Sequence, residues 1–377
     1  MRIHKIILSA VLFLLVLSGC KESAATQREN TKKSLQQVAD WQMSHFEYAT
    51  QGNLHDYGID SWTNAVLYFG MAEWAKIADN PETYYDWLYN IGETNDWKIP
   101  ANFLSYERYS LYHADEICIG QFYLNMYEKY GEWRMVDSTL KRVNWIVNNT
   151  PDPDMSARKK QSWTWCDALF MAPPVYLHIA NIKEDNTYID FMHNEFMKTY
   201  QHLYNHNEML FFRDDSYFDR TEQNGQRVFW GRGNGWVAAG LVNILKLLPA
   251  DSEYRPFYED LFKEFVPRLA ALQNQSGFWH ASLLDSESYP APEASATALI
   301  TYALAYGINQ QLLNKKEYTT IVNRAWNALL SVVDEEGKLG YVQPIGADPK
   351  KVTSDMTAVY GVGAFLLAGS EIYRMNL

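Results

Sequence analysis

Two aspartates stand directly before apolar stretches of the sequence, Asp115 in YHADE (112–116) and Asp167 in WTWCD (163–167). Asp167 is followed by ALFM, and a carboxylate without a partner is costly in such surroundings. Asp115 could equally cap the helix that follows it, since aspartate is favoured there. Two carboxyl groups in a partly apolar pocket can titrate apart, so that one stays protonated near neutral pH as a general acid. We therefore predict that Asp167 and Asp115 are catalytic.

An arginine lies within the glycine-rich stretch WGRGNGW at 230–236. A dinucleotide-binding loop would need a preceding apolar strand and its third glycine one place later, and no phosphate-binding lysine follows. The glycines instead indicate a tight turn where backbone and ligand come close. Arg232 would then project between Trp230 and Trp236, and its planar guanidinium matches a carboxylate through two parallel hydrogen bonds. The stretch predicts a site for an acidic ligand.

Four further residues near these stretches are candidates for substrate contact: His113, Trp165, His280 and Asn64. For the two histidines, a ligand contact and a structural role are equally open. Glu293 precedes an apolar segment, so helix capping explains it almost as well as function does. Aromatic residues are 15% of the chain, and such rings either stack on sugar faces or fill a helical core. No HExxH, EF-hand or GxSxG motif occurs, and we expect neither a metal nor another cofactor.

Helical segments of two kinds alternate along the chain and must position these residues. Six are apolar on nearly every side, which is typical of buried helices: 62–79, 115–130, 165–181, 234–248, 293–309 and 356–373. Six are amphipathic, which is typical of outer helices: 32–50, 82–94, 132–149, 186–204, 254–274 and 315–334. The pattern predicts an all-α fold, the (α/α)6 toroid with six inner and six outer helices. Pro173-Pro174 predicts a separate turn or kinked lead-in over 164–171.

Polar and aromatic clusters introduce the inner helices. Short connections make neighbouring helices antiparallel, so the inner helices all point the same way. The clusters should therefore meet at one end of the toroid: SWTN at 61–64, YHADE at 112–116, WTWCD at 163–167, WGRGNGW at 230–236, PEASAT at 292–297 and TSDMTAV at 353–359. That end is the predicted functional site.

The start of the chain is typical of a lipoprotein signal peptide over residues 1–19. Its apolar run ends in LSGC, and Cys20 would become the lipidated first residue of the mature protein. Ordinary secretion with cleavage nearby is the alternative. We expect residues 20–30 to form a flexible tether and 31–377 a single catalytic domain. The protein would lie in the bacterial cell envelope, facing the periplasm or the outside, and touch the membrane through its lipid only.

Charge and cysteine content limit the partners. The formal net charge is −12, which argues against nucleic acid because phosphate binding needs clustered Lys and Arg. Cys118 and Cys166 lack metal-binding spacing and are expected to be buried free thiols, although a disulfide between them stays open. We expect a monomer.

Five motifs, taken in order, resemble those of the unsaturated rhamnogalacturonyl hydrolases, glycoside hydrolase family 105. They are YHADE, WTWCDALFMAPP, FWGRGNGWV, GFWHASLLD and EASATALITYALAYGI, and the resemblance covers about residues 60–370. It implies an (α/α)6 toroid without a metal. It also implies that the partner is an acidic unsaturated oligosaccharide left by a polysaccharide lyase, from whose non-reducing end a Δ4,5-unsaturated uronic acid is removed.

The mechanism of that family hydrates a vinyl ether. A protonated aspartic acid gives its proton to C4, water adds at C5, and the hemiketal opens and expels the rest of the oligosaccharide. The resemblance assigns the acid/base role to Asp167 with Asp115 as its partner. It assigns sugar and carboxylate contacts to Trp230, Arg232 and Trp236.

Two positions depart from the family pattern and bear on the substrate. Arg213, in LFFRDDSY, stands where a histidine is common, and Glu116 stands where a second aspartate is common. Arg213 could meet a sulfate or second acidic group of the substrate, or pair with Asp214 or Asp215. The alternatives are an unsaturated glucuronyl hydrolase acting on glycosaminoglycan or sulfated-polysaccharide fragments, and a lipid-anchored oligosaccharide-binding protein without catalysis.

Overall fold

The computed structural model describes residues 24–46, 58–99, 111–149, 154–157 and 163–375. Its helices, in chain order, are α1 (Ala24–Ser44), α2 (Trp62–Ala75), α3 (Pro81–Thr94), α4 (Ala114–Ile117), α5 (Ile119–Tyr130), α6 (Arg134–Asn148), α7 (Ala168–Met171), α8 (Pro173–Lys183), α9 (Thr187–Leu203), α10 (Gly231–Leu247), α11 (Arg255–Ala271), α12 (Ala294–Asn309), α13 (Lys315–Leu330) and α14 (Val359–Met375). A small hairpin pairs β1 (Tyr204–Asn205) with β2 (Leu210–Phe211), and a 3-10 turn covers Asp215–Tyr217.

Six of these helices form a closed inner ring. In order around the ring, α2 contacts α5, α5 contacts α8, α8 contacts α10, α10 contacts α12, α12 contacts α14, and α14 returns to α2. Helix α12 is buried from Ala294 to Ile308, as expected of a helix with neighbours on every side. The outer helices are α1, α3, α6, α9, α11 and α13, and each buries one face only. The predicted all-α (α/α)6 toroid is confirmed.

Small residues let the inner helices approach closely. A Cβ added to Gly70 would lie 2.4 Å from the carbonyl oxygen of Gly363, and one added to Gly363 would lie 2.3 Å from that of Val66. At Gly240 the obstacle is the carbonyl of Leu169, at 2.3 Å. Backbone therefore packs directly on backbone where α2 meets α14 and where α10 meets α7.

The tether prediction is wrong for the part that the structure describes. Helix α1 begins at Ala24, so residues 24–30 are helical rather than flexible. They are held because the guanidinium of Arg28 lies 4.5 Å above the ring of Tyr373 and donates to its hydroxyl at 2.8 Å. The signal peptide, Cys20 and residues 20–23 lie outside the described residues. Within the described ranges, none of the helices has the length and apolar character needed to cross a membrane.

The third inner helix begins as the prolines predicted. Pro173 and Pro174 occupy the first turn of α8, where a missing N–H does no harm. The preceding short helix α7 is separate, and Asp167 is its N-cap residue. The separate helix thus places Asp167 at the mouth of the ring.

Candidate active site

A cavity of about 490 Å³ opens at the end of the ring where the inner helices begin. Its lining residues are Gly58, Asp60, Ser61, Trp62, His113, Asp115, Glu116, Trp165, Asp167, Met171, Arg213, Trp230, Arg232, Trp236, Ile345 and Gly346. Four of the six predicted clusters contribute side chains: those at 61–64, 112–116, 163–167 and 230–236. The clusters at 292–297 and 353–359 do not line the cavity, and a loop at 345–346 takes part instead.

Asp167 is nine-tenths buried in the wall of this cavity. Burial raises the pKa of its carboxyl to about 6, and the charge of Asp115 adds to the rise, while Arg213, the Cys166 thiol and Arg232 oppose it. The thiol of Cys166 donates to Oδ1 at 3.3 Å. A carboxyl group with this pKa can hold a proton at mildly acidic pH and release it to a substrate.

Three more carboxylates face the same space. Asp115 is about one-quarter exposed, with Oδ2 3.9 Å from Nδ1 of His113. Its place in the first turn of α4, two residues after the N-cap residue His113, shows that it is not the helix cap. Burial raises the pKa of both Glu116 and Asp60. Asp60 was not predicted, although it stands immediately before the SWTN cluster, where position alone could have suggested it.

The prediction of a tight turn at WGRGNGW is wrong. These residues form the N-cap and first turns of α10, and none of the three glycines has a positive φ. The glycines are needed for close packing. A Cβ on Gly231 would lie 2.3 Å from the carbonyl oxygen of His280, and one on Gly233 would lie 2.9 Å from Cε3 of Trp230 and 3.1 Å from Sγ of Cys166. The segment that carries Cys166 and Asp167 thus packs directly against α10.

Arg232 is almost fully buried and holds a loop. Its two terminal nitrogens donate to the carbonyl oxygens of Gln343 and Pro344, and its guanidinium lies 4.5 Å above the ring of Trp230. Trp230 Nε1 donates to the Gln343 side chain at 3.2 Å, and the Tyr360 hydroxyl donates to the Gln343 carbonyl. The carboxylate contact that the sequence predicted for Arg232 would have to coexist with these bonds.

Residues 343–346, called the 343–346 loop below, contribute to the cavity wall and were not predicted from the sequence. Gln343 is fully buried, and its backbone N–H donates to Oε1 of Glu293 at 3.0 Å. Glu293 also caps α12 by accepting from the backbone N–H groups of Ser295 and Ala296, so the capping interpretation of Glu293 is confirmed. The loop has no hydrophobic period and carries no catalytic residue type, so nothing in the sequence marked it.

Aromatic rings make the rest of the wall. Trp236 packs edge-on against Trp62 and lies 4.7 Å from the ring of Phe170. Trp165 lies 4.6 Å from the ring of His113. The rings of Trp62, Trp165, Trp230 and Trp236 line the cavity, and indole faces of this kind suit the apolar faces of sugars.

Arg213 pairs with Asp214, as one of the two predictions for it stated, and it also lines the cavity. Asp214 is buried and accepts a second bond, from the backbone N–H of Ser216 at 2.9 Å. The Arg213 carbonyl accepts from the backbone N–H of Cys166 at 2.9 Å. That bond places the backbone of Arg213 beside the segment that carries Asp167.

Two predicted contact residues do not line the cavity. Asn64 is buried and donates to the carbonyl of Gly58 at 3.0 Å, so it holds the 58–61 segment from behind. His280 is buried, and its Nδ1 lies 2.9 Å from the carbonyl oxygen of Ala291. Both side chains are bonded to backbone carbonyls and neither lines the cavity, so the predicted substrate contact is corrected to a supporting role.

Cysteine and metal predictions concern the same region. Cys118 and Cys166 are buried free thiols, so the disulfide alternative is excluded. Burial raises the thiol pKa of each. Among the described residues, no group of three or more His, Cys, Asp or Glu side chains is arranged to hold a metal ion.

Comparison with known proteins adds to this geometry. The sequence matches the model of Glycosyl Hydrolase Family 88 over residues 34–376. It is 36% identical over 350 residues to a Formosa agariphila protein named unsaturated 3S-rhamnoglycuronyl hydrolase, and the match covers 89% of each chain. A solved glycosyl hydrolase family 88 structure from Bacteroides vulgatus is 30% identical, with a TM-score of 0.82 over 94% of this chain and 100% of that one. A Salmonella enterica structure described as a possible member of family GH105 shares the fold, with a TM-score of 0.73 at 19% identity, over 92% of this chain and 94% of that one. The resemblance drawn from the motifs is confirmed.

Proposed function

The chain belongs to Glycosyl Hydrolase Family 88 and is a glycoside hydrolase, and from this premise we propose that it removes a Δ4,5-unsaturated uronic acid from the non-reducing end of lyase-generated oligosaccharides. The observation that carries the proposal is the buried Asp167, whose carboxyl pKa of about 6 suits a proton donor. Four tryptophans line the cavity around it, and Trp62 is the one among them that is more than slightly exposed, so its ring is the candidate for stacking on a sugar.

The reaction begins with proton transfer from Asp167 to C4 of the vinyl ether. Positive charge develops at C5 and the ring oxygen, and nearby carboxylates such as Asp115 stabilise it. Water adds to C5 and returns a proton to the Asp167 carboxylate, which restores the acid. The hemiketal formed at C5 opens, and the bond from C1 to the remaining oligosaccharide breaks as that chain takes up a proton. Hydration of the double bond, rather than protonation of the glycosidic oxygen, drives the cleavage.

The neighbouring sugar in our proposal is a rhamnose that carries a sulfate at O3. The support is the name of the relative that is 36% identical, an unsaturated 3S-rhamnoglycuronyl hydrolase. Rhamnogalacturonan-type and glycosaminoglycan-type fragments are the alternatives. An oligosaccharide binder without catalysis is not favoured, because a binder needs no buried proton donor.

The test is a panel of unsaturated disaccharides incubated with the purified protein. Each member carries the same unsaturated uronic acid, linked to 3-sulfated rhamnose, unsulfated rhamnose or an N-acetylhexosamine. Loss of the ultraviolet absorbance of the double bond reports the reaction. We expect the highest kcat/KM on the sulfated rhamnoside. Absence of turnover on every member would contradict the proposal. A preference for the hexosamine member would identify a glycosaminoglycan-type fragment, rather than a sulfated rhamnoside, as the substrate.

Lipid anchoring in the cell envelope is part of the proposal. Its support is the LSGC ending of the apolar run, with Cys20 as the lipidated residue. We also propose that the anchored protein is a monomer. Mass spectrometry of the N-terminal peptide would test the lipid anchor. Light scattering of a protein of residues 24–377, in solution without detergent, would test whether it is a monomer. An unmodified N-terminus at another residue would exclude the anchor.

A further inference from the structure

Two prolines at the start of α8 leave the preceding helix α7 short of hydrogen-bond donors. Pro173 and Pro174 have no N–H to donate, so the carbonyl groups four positions earlier, those of Leu169 and Phe170, lose their helical partners. Both carbonyls belong to α7, whose residues are all buried. A buried carbonyl oxygen without a donor is costly, so a donor has to come from another part of the molecule.

Gln121 of α5 supplies this donor. Its Nε2 donates to the carbonyl oxygen of Phe170 and to that of Met171, at 2.9 Å each. The Gln121 side chain is 4% exposed, so water does not compete for these bonds. The remaining carbonyl, that of Leu169, lies against Gly240 of α10. The side-chain amide of Gln121 therefore ties α5 to the C-terminal end of α7.

Helix α7 carries two residues of the catalytic cavity. Asp167 is its N-cap residue and Met171 is its last residue, and both line the cavity. The helix has 4 residues, which span about 6 Å, so a displacement of one end moves the other. Gln121 does not line the cavity itself and can act on Asp167 only through α7.

We propose that Gln121 is a positioning residue for the proton donor, because its amide holds α7 in the place that presents Asp167 to the cavity. The inference rests on the proposed function, in which Asp167 gives its proton to C4. The acid must lie within hydrogen-bond reach of the atom that it protonates, so a small displacement is expensive. The bond from the Cys166 N–H to the Arg213 carbonyl holds the N-terminal end of this segment, and Gln121 holds its C-terminal end.

The test removes the amide while keeping the length of the side chain. Gln121→Met has no N–H group and suits a buried position. Gln273→Met is the matched control, because Nε2 of Gln273 also donates to two backbone carbonyls, those of Gly277 at 2.9 Å and Ile321 at 3.1 Å, away from the cavity. Steady-state kinetics are measured on the disaccharide that wild type turns over fastest, at a temperature where circular dichroism shows all three proteins folded.

We expect kcat of Gln121→Met to fall by at least about 10-fold while KM changes by less than about threefold, because the acid and not the bound sugar is displaced. Gln273→Met should keep the kinetics of wild type. A wild-type kcat in folded Gln121→Met would overturn the inference, and so would equal losses in the two variants. A wild type that turns over no substrate contradicts the proposed function itself, and the inference falls with it.

The pH profile gives a readout that a loss of stability alone would not move. Burial is the largest influence on the Asp167 carboxyl, and four groups also act on it: Arg213, Cys166, Arg232 and Asp115. Displacement of α7 admits water to this carboxyl and lowers its pKa from about 6 towards the ordinary value of 3.8. Because the acid must be protonated, kcat/KM should begin to fall at lower pH in Gln121→Met than in wild type or Gln273→Met. An unchanged profile would contradict the positioning role.

Gln121→Met leaves two buried carbonyl oxygens without a side-chain donor, so Gln121→Glu provides the second variant if the first does not fold. Glutamic acid has the size of glutamine. When protonated it donates one bond in place of two, and when ionised it repels both carbonyl oxygens. We expect the same fall in kcat, and a wild-type kcat in folded Gln121→Glu would overturn the inference.

Discussion

In the proposed reaction, the carboxyl group of Asp167 is the proton donor. Asp167→Asn keeps the shape of the side chain and removes the transferable proton, so we expect kcat to fall by about 10²- to 10⁴-fold with KM largely kept. In deuterated water the wild type should place deuterium at C4 of the released product. Near-normal turnover by a folded Asp167→Asn protein would rule out this assignment, and an unlabelled C4 would rule out hydration.

The same carboxyl group should reduce stability at neutral pH. Its pKa is raised from 3.8 to about 6 in the folded protein, so folding favours the protonated form. The free energy of unfolding therefore declines as pH rises from about 4 to 6, by up to about 3 kcal/mol. Asp167→Asn removes this effect. We expect the variant to melt above wild type at pH 8 and at nearly the same temperature at pH 4, followed by circular dichroism. An equal difference at both pH values would show that burial does not perturb this group.

Sequence reasoning found the residues whose chemical type is unusual for their surroundings. Asp167 and Arg232 are polar residues in apolar or glycine-rich stretches, and both line the cavity. It did not find Gln343, whose importance comes from being surrounded by Trp230, Arg232 and Tyr360. Those partners lie 17 to 113 positions away in the chain, and a single sequence gives no record of such contacts.

At the level of the helices, the first turn of α10 packs against Asp167, the proposed proton donor. In Gly233→Ala the new Cβ would lie 2.9 Å from Cε3 of Trp230 and 3.1 Å from Sγ of Cys166, so the indole ring must shift and the thiol that donates to Asp167 must give way. We expect kcat to fall by about 10-fold or more, since small displacements of catalytic groups are expensive. Gly235→Ala is the control, because its Cβ would meet Leu299 at 3.0 Å in the packing between helices. Equal losses of kcat in the two variants would show that α10 packing, not the acid, is affected.

The helices themselves were largely predictable, and their lead-in segments were not. Apolar periodicity marked every inner and outer helix because burial on all sides or on one face leaves a clear pattern. The prediction for the WGRGNGW segment was wrong because glycine permits both a turn and close helix packing. The carbonyl of His280, which lies against Gly231, shows that close packing is the reason for that glycine. The start of α1 was missed because residues 24–30 are polar, and what holds them is Tyr373 at the other end of the chain.

Across the whole molecule, a partly buried charge network joins the first inner helix, α2, and the fourth, α10, to the last, α14. Glu73 on α2 pairs with Arg374 on α14 at 3.0 Å and with Lys76 at 2.5 Å. Lys246 on α10 pairs with Glu371 on α14 at 2.7 Å. Desolvation would raise the pKa of Glu73, but Lys246, Lys76 and Arg374 outweigh it and lower that pKa to about 2. The network stabilises the closure of α14 against α2.

Glu73→Gln should lower the free energy of unfolding at pH 7 by about 2–3 kcal/mol, since it leaves Arg374 without that partner. The pKa of Glu73 is depressed in the folded protein. Its contribution to the free energy of unfolding is therefore fully present above about pH 4.5 and is lost as the pH falls towards 2. Urea unfolding at pH 7 and pH 3 would measure this. The exposed pair of Glu82 with Lys129, at 2.9 Å, gives the control Glu82→Gln, with an expected change within about 0.5 kcal/mol. A loss for Glu73→Gln that is the same at both pH values would assign the effect to packing.

The contact of Arg28 with Tyr373 fixes which way the molecule would face. Tyr373 belongs to the last turn of α14, so the first turns of α1 lie at the end of the ring away from the cavity. An α-helix rises about 1.5 Å per residue, so the 17 residues of α14 separate that end from the cavity mouth by about 25 Å. A protein anchored at Cys20 would face the lipid surface with the end of the ring opposite the cavity and would open its cavity away from the bilayer. Long oligosaccharides in solution could then enter without passing between the enzyme and the membrane.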